Sequence, residues 1–283
     1  MTNNAKGLAL TSLGVFIMSL ESLFIKFTTI SSFLFSFYIG IFMFISMFTA
    51  FVFNKKEYIK KSLTKTSFML IVCAFLMAIS NIFFITAVKT TTVANVVIIF
   101  STSALFAALF AYLFYKEKIS KNILISSFFI FIGLFIIFND KLEMGSLLGN
   151  IYAILCTAIF SISFVLLSHY KEMDRIILTA FSGLALSFLA FFFCDELIID
   201  FKTLMIVMIM GLLISPISRV LLGNGAIYIS ASEVSLLMII ETVMAPIWVW
   251  LFLDEVPSSY TFIGGSIIIA TLIANSLYTL KKR

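Results

Sequence analysis

The chain has 283 residues, 62% of them hydrophobic and 12% charged, with a mean hydropathy of +1.17 and a formal net charge of +5. Soluble domains are closer to half apolar and a quarter charged, so an aqueous fold could not hide this much Phe, Ile and Leu. The composition therefore excludes a soluble domain and makes lipid the solvent. The basic residues lie between apolar runs and read as topology signals, not as a nucleic-acid patch.

Ten apolar segments long enough to span a bilayer follow in chain order, at about 7–27, 33–53, 67–88, 93–114, 122–138, 147–168, 176–193, 203–222, 232–253 and 259–278. The first follows Lys6 like a leader peptide, but it runs on past Glu21 with no small-residue cleavage site, so it reads as a retained helix. Polar breaks such as Thr28–Ser32 and Thr90–Thr92 separate the spans. The runs are continuously apolar, which argues against the period-two alternation of a strand barrel. Cys73, Cys156 and Cys194 lie in or beside apolar runs without disulfide or metal spacing. The predicted fold is an all-α membrane protein with ten transmembrane helices.

Orientation follows from Lys and Arg outside the spans. With the N-terminus inside, 14 fall on the cytoplasmic side and three, Lys89, Lys141 and Lys202, on the other. This asymmetry predicts that both termini are cytoplasmic, in a membrane expected to be the bacterial inner membrane.

The sequence also repeats. At an offset of 138, Leu113-Phe114-x-x-Glu117-x-x-Ser120 falls on Leu251-Phe252-x-x-Glu255-x-x-Ser258; at 142, Gly7 falls on Gly149 and Ser19 on Ser161. Two repeats, 5–139 and 147–280, are predicted. Five helices is an odd number, so the halves insert in opposite senses. The lysine-bearing junction Lys116–Lys121 is expected inside and Asp254–Ser259, without lysine, outside. Inverted repeats of this kind are a common plan of secondary transporters.

Ala231–Leu237, Glu241–Glu255, Pro257 and Ile263-Gly264-Gly265, with a weaker echo over Leu113–Ser120, make the chain resemble the EamA-type branch of the drug/metabolite transporter superfamily. The resemblance covers essentially the whole chain. It implies a polytopic carrier of amino acids, related metabolites or drugs, with a central cavity lined by the first, third, fourth, sixth, eighth and ninth helices. Two departures stand out. Phe35–Ile39 lacks the Arg common in the second helix of the family, and Asp254 stands where Gly is usual.

Charges inside a bilayer cost about 2.5–3.5 kcal/mol each on insertion scales, so each needs a reason. Glu241 lies mid-span, opposite the polar repeat partner Ser103. It reads either as a cavity group that binds a cation or carries a proton, or as a neutral packing residue. Pro246 frees the Thr242 carbonyl one turn away, to line the cavity or only to kink the helix. Glu21 reads as a second cavity acid or as an interfacial residue. Lys26, five positions on, does not share its helix face. Arg219 reads as an anchor for an anionic group or, more simply, as a side chain snorkelling to lipid phosphate. Ser101-Thr102-Ser103 reads as cavity lining or ordinary packing, and Ala104, Ala107, Ala108 and Ala111 as a close-contact face. Glu233 reads as a helix-dipole acid, Glu117 and Glu255 as structural junction residues, Ser120 and Ser258 as N-caps, and Trp250 as an aromatic-belt residue.

His169 is the single histidine, and no H-E-x-x-H, G-x-S-x-G or phosphate-loop motif occurs. The expected function is a secondary carrier of small polar metabolites, amino acids or related compounds, working by alternating access, with no enzyme activity and no cofactor or metal. A membrane scaffold, an enzyme without a recognisable motif and a channel are the rival classes. The expected partners are a small-molecule substrate and the lipid bilayer, with no nucleic acid; a homodimer is left open.

Overall fold

A computed structural model gives the architecture. It describes residues 3–54, 59–117, 121–138, 144–170, 173–225, 227–229 and 231–281, of which 54, 59–67, 144–146, 231–233, 235–236, 276 and 279–281 are described by backbone alone. Ser120 and Lys141 lie outside the described residues, and so does the Glu233 side chain.

The described residues are helical, with no strand. The helices are α1 (Asn3–Met18), α2 (Glu21–Lys26), α3 (Ser32–Asn54), α4 (Ile59–Thr90), α5 (Val93–Ser101), α6 (Ser103–Tyr115), α7 (Lys121–Phe138), α8 (Met144–His169) and α9 (Arg175–Phe191). After them come α10 (Phe201–Ile209), a π-helical turn (Met210–Ile214), α11 (Ser215–Gly225), α12 (Ala231–Leu253) and α13 (Ser259–Lys281). Among the described residues, seven stretches are long and apolar enough to cross a membrane: Asn3–Lys26, Ser32–Phe53, Phe68–Thr90, Val93–Tyr115, Lys121–Phe138, Leu147–His169 and Phe201–Gly225. Arg175–Phe191, Leu237–Leu253 and Ser259–Asn275 are shorter apolar helices. Helices prevail because hydrocarbon offers backbone groups no outside partner. Phe68, Phe128, Phe131, Phe135 and Phe262 are exposed, as lipid-facing side chains are.

Three of the long stretches break partway, and Ser or Thr sits at or beside each break. Between α1 and α2, Ser19 Oγ donates to Phe16 O at 2.6 Å. Between α5 and α6, Thr102 Oγ1 donates to Ile99 O and Ser101 Oγ to Ile98 O, both at 2.6 Å. Such hydroxyls compete with the helix's own amides and loosen the turn. Ser101 and Thr102 thus serve the break. The third break is the π turn, followed by Pro216; the carbonyl four residues before that proline, Leu212 O, accepts from Ser46 Oγ at 2.8 Å. Pro246, by contrast, lies inside an unbroken α12.

The packing pairs the two halves of the chain. Helix α1 packs on α11 as α8 packs on α4, and α12 packs on α1 as α6 packs on α8. Helix α3 crosses α9, α7 crosses α13 and α5 crosses α12. Two of these crossings are glycine on glycine. A Cβ on Gly40 would come within 2.6 Å of Gly183 O, and one on Gly183 within 2.8 Å of Gly40 O. Gly133 and Gly264 oppose each other the same way, at 2.8 and 2.6 Å. Gly7 faces Tyr228 and Ile229, while Gly149, 142 positions on, faces Thr90 and Thr91. Small residues let membrane helices approach backbone to backbone. The alanines of α6 do not do this: α6 has no buried residue.

The non-glycine residues with positive φ among those described are Lys116 (57°) and Asp254 (54°). They are 138 positions apart and end α6 and α12 with the same left-handed turn, their amides bonded to Tyr112 O and Trp250 O. A left-handed cap explains why glycine suits this position.

Candidate functional site

A cavity of about 10 Å³, room for about one water molecule, lies where α2, α3, α4, α9, the π turn and α11 meet. Glu21, Asn81, Ser215 and Arg219 supply its polar lining, and Ile25, Ile39, Met43, Phe84, Ile85, Leu186 and Met210 the rest. The break after Ser19 sets Glu21 at the start of α2, 4% exposed. The π turn and Pro216 set Ser215, Ser218 and Arg219 facing it.

Arg219 Nη2 lies 3.6 Å from Glu21 Oε2 and donates to Asn81 Oδ1 at 2.8 Å. Ser218 Oγ donates to Glu21 Oε1 at 3.4 Å. The guanidinium therefore turns into the bundle, not out to lipid phosphate, and Glu21 is a buried acid, not an interfacial one. Low-dielectric surroundings make such a pair strong but costly to desolvate, so it persists only with good partners. Those partners are incomplete: among the described residues, the buried Arg219 Nε, Ser215 Oγ and Ser22 Oγ have no hydrogen-bond partner. Unsatisfied buried donors are rare and call for an explanation.

Glu241 is 3% exposed on α12 and within electrostatic reach of Glu21 and Arg219. It does not line the cavity. Two turns further along α12, Trp248 Nε1 donates to Ser19 Oγ at 3.0 Å, tying the helix to the break in the first long stretch. Ser103 is not brought to the site. Its carbonyl accepts from Ser161 Oγ at 3.0 Å, a contact between α6 and α8. Ser19 and Ser161, paired in the sequence repeat, thus bond to α12 and α6 through different groups.

Glu21, Arg219 and Glu241, three of the four expected site residues, therefore gather in one region, and Ser103 does not. Asn81, Ser215 and Ser218 complete the region and went unnoticed in the sequence; an amide in an apolar stretch, Ser80-Asn81, is the signal that was there. The lining also differs from expectation, since α3 and α9 contribute while α5, α8 and α12 do not. Among the described residues, no group of three or more His, Cys, Asp or Glu could hold a metal ion.

The pattern of the EamA-like transporter family matches residues 5–139 and again 147–277. The chain belongs to the EamA-like transporter family. It is an integral membrane protein of the drug/metabolite transporter superfamily, whose members are generally transporters. A protein known from its crystal structure has the same fold, with a TM-score of 0.70 over 96% of each chain at 13% identity. No curated protein sequence matches this EamA protein.

Proposed function

We propose that this EamA protein is a secondary carrier for a small zwitterionic or anionic metabolite, such as an amino acid, working by alternating access. The observation that carries the reading is the buried Glu21–Arg219–Asn81 cluster with its unpartnered donors. In this reading Arg219 Nε and the Ser215 hydroxyl hold a substrate carboxylate once the cavity opens. Glu21 and Glu241 take the cationic end or a coupling proton. Helix breaks at membrane depth belong with this role, because irregular backbone is tolerated in a bilayer only where protein or a cavity surrounds it.

In this reading there are ten transmembrane helices in two inverted repeats, 5–139 and 147–280, with both termini cytoplasmic, in the bacterial inner membrane. Support comes from the exchange pattern of helix contacts. In a two-fold relation the first helix of each half meets the third and fourth of the other, and α1 meets α11 and α12 as α8 meets α4 and α6. The matched caps at Lys116 and Asp254 are further support.

The test is flux of a panel of radiolabelled amino acids into proteoliposomes, with and without a pH gradient. Arg219→Lys should weaken flux of the transported compound at least tenfold, because an ammonium cannot replace the forked guanidinium. Glu241→Gln keeps shape but cannot titrate. If Glu241 carries the coupling proton, this variant should reach the membrane normally and lose the pH-gradient dependence. Parent-like flux and pH profile would remove Glu241 from the mechanism. No flux of any panel member by the parent, with or without a gradient, would refute the amino-acid reading.

A further inference from the structure

We propose that Lys26, Thr91, Asn95, Asn150, Glu255 and Thr261 form a polar seal that closes one end of the bundle and must part in each transport cycle. This rests on the carrier reading above, in which that end faces the exterior.

The seal is continuous. Lys26 Nζ lies 2.9 Å from Glu255 Oε2 and donates to Thr91 O at 3.0 Å. Glu255 Oε1 accepts the Val93 amide at 2.6 Å, the first amide of α5. Two residues on, Asn95 Oδ1 accepts from Thr261 Oγ1 at 2.5 Å, and Asn95 Nδ2 donates to Asn150 Oδ1 at 3.3 Å. Thr91 Oγ1 also donates to Asn150, at 3.2 Å. The network joins the first half, through α2 and the α4–α5 turn, to the second, through α8 and the α12–α13 junction. Asn95, Asn150 and Thr261 are each at most 2% exposed. Lys89, on the same face, donates to Thr28 O at 2.8 Å and fixes the end of α2 from the other side.

The opposite end is built from the corresponding positions, and among the described residues, which leave out Ser120 and the side chain of Glu233, the counterpart of Asn95, no such network is seen. Glu117, the counterpart of Glu255, meets His169 Nε2 at 3.6 Å, with side chains 58% and 35% exposed. His169 is one residue from the position that matches Lys26 at the 142 offset. Where the seal has Thr261 and Asn150, the same offsets give Ile123 and Leu8, which cannot form side-chain hydrogen bonds. Burial follows the same division: Val93 to Phe100 of α5 are all buried, while α6, the other part of that stretch, has no buried residue. A carrier that opens to each side in turn must part the contacts at one end while those at the other hold. The tight end here is the one with Glu255. Its bonds join polar groups that water can satisfy once the halves separate, so this seam can open at a cost that an apolar seam of similar burial would exceed.

The seal predicts where water-borne reagents enter. In full-length protein with Cys73, Cys156 and Cys194 replaced by Ala, Ile85→Cys places a thiol in the cavity wall one turn below Lys89. Reaction with a membrane-impermeant maleimide is followed in sealed vesicles, with reagent added only on the Glu255 side. Glu255→Gln and, separately, Thr261→Val should each speed labelling at least tenfold, while Glu117→Gln should leave it unchanged. Thr261→Val preserves volume and guards against a Glu255→Gln variant that fails to fold. Unchanged labelling in the folded seal variants, or equal acceleration by Glu117→Gln, would overturn the proposal. The two readings separate cleanly. Flux by the parent without a labelling response removes the seal and leaves the carrier; a labelling response without flux of any panel member keeps the seal and removes the amino-acid reading.

Discussion

The two halves of the protein meet along seams of opposite chemistry. Where α3 crosses α9 and α7 crosses α13, the contact is dry and backbone deep, with Gly40 against Gly183 and Gly133 against Gly264. Around Asn95 and Glu255, and again around Glu21 and Arg219, the contact is made by side-chain hydrogen bonds and ion pairs. A dry crossing has no second partner to turn to, so it serves as a fixed axle. A polar contact exchanges its partner for water or substrate, so it suits parts that separate. The comparison predicts that steric changes break the first seam and charge changes the second.

The largest effect is expected at the dry seam. Gly183→Val would drive its Cβ to 2.8 Å from Gly40 O and 2.9 Å from Phe44 N, both backbone atoms that cannot step aside. Helix separation should cost more than about 3 kcal/mol, and folded protein recovered by size exclusion should fall severely. Recovery and thermal unfolding like the parent's would show that this crossing is looser than the geometry implies.

Next comes the buried pair. Arg219→Ala leaves Glu21 buried beside one serine hydroxyl and should destabilise the protein by about 3–5 kcal/mol. Adding Glu21→Gln removes the orphaned charge and should restore most of the loss in thermal unfolding. If the double variant is no more stable than Arg219→Ala alone, the two side chains do not act as a pair.

A smaller, stabilising effect is expected at the caps beside Glu117 and Glu255. The left-handed conformation costs a residue with a Cβ about 1–2 kcal/mol, offset in part by the extra chain entropy of glycine. Lys116→Gly should therefore raise stability by up to about 1 kcal/mol. Asp254→Gly should gain less, because Asp tolerates this conformation better than Lys. The order of the two melting temperatures checks the argument.

The smallest effect lies away from both seams, at Asp200, which caps α10 by accepting the Thr203 amide at 3.0 Å. Hydrogen bonds from the Thr203 hydroxyl and amide hold its carboxyl below the usual carboxylate range. A depressed folded-state pKa contributes stability that is present above the unfolded value, about 4, and is lost as pH falls through the folded one. The melting-temperature gap between parent and Asp200→Asn should therefore shrink from pH 6 to pH 3. A gap independent of pH would assign the cap to geometry alone.

Much of this was legible in the sequence. Apolar run length and charge rarity pointed to membrane helices, and Glu21, Glu241 and Arg219 stood out because a buried charge in lipid needs a reason. The LFxxExxS match singled out the junctions whose residues Lys116 and Asp254 share a left-handed cap. The helix breaks were harder to see. Ser19, Thr102 and Ser215 are ordinary membrane residues until a hydroxyl turns back on its own helix or a proline follows. Ser103 was misplaced for a related reason: a polar residue at a repeat position shows which face it could serve, not which face the broken helix finally presents. Asn95 and Asn150 were passed over because a single amide in an apolar run looks like packing until its partner, 55 positions away, is known.

The sequence by itself determined the solvent, the helical class, the family and the short set of charges that demand explanation, because each follows from composition or from local pattern. Only the tertiary structure decided partners: that Arg219 turns inward to Glu21 and Asn81, that Lys26 reaches Glu255 and not Glu21, and that Asn95 meets Asn150 and Thr261. Pairing between residues some 200 positions apart depends on how helices cross and where they break, and no local pattern encodes that crossing.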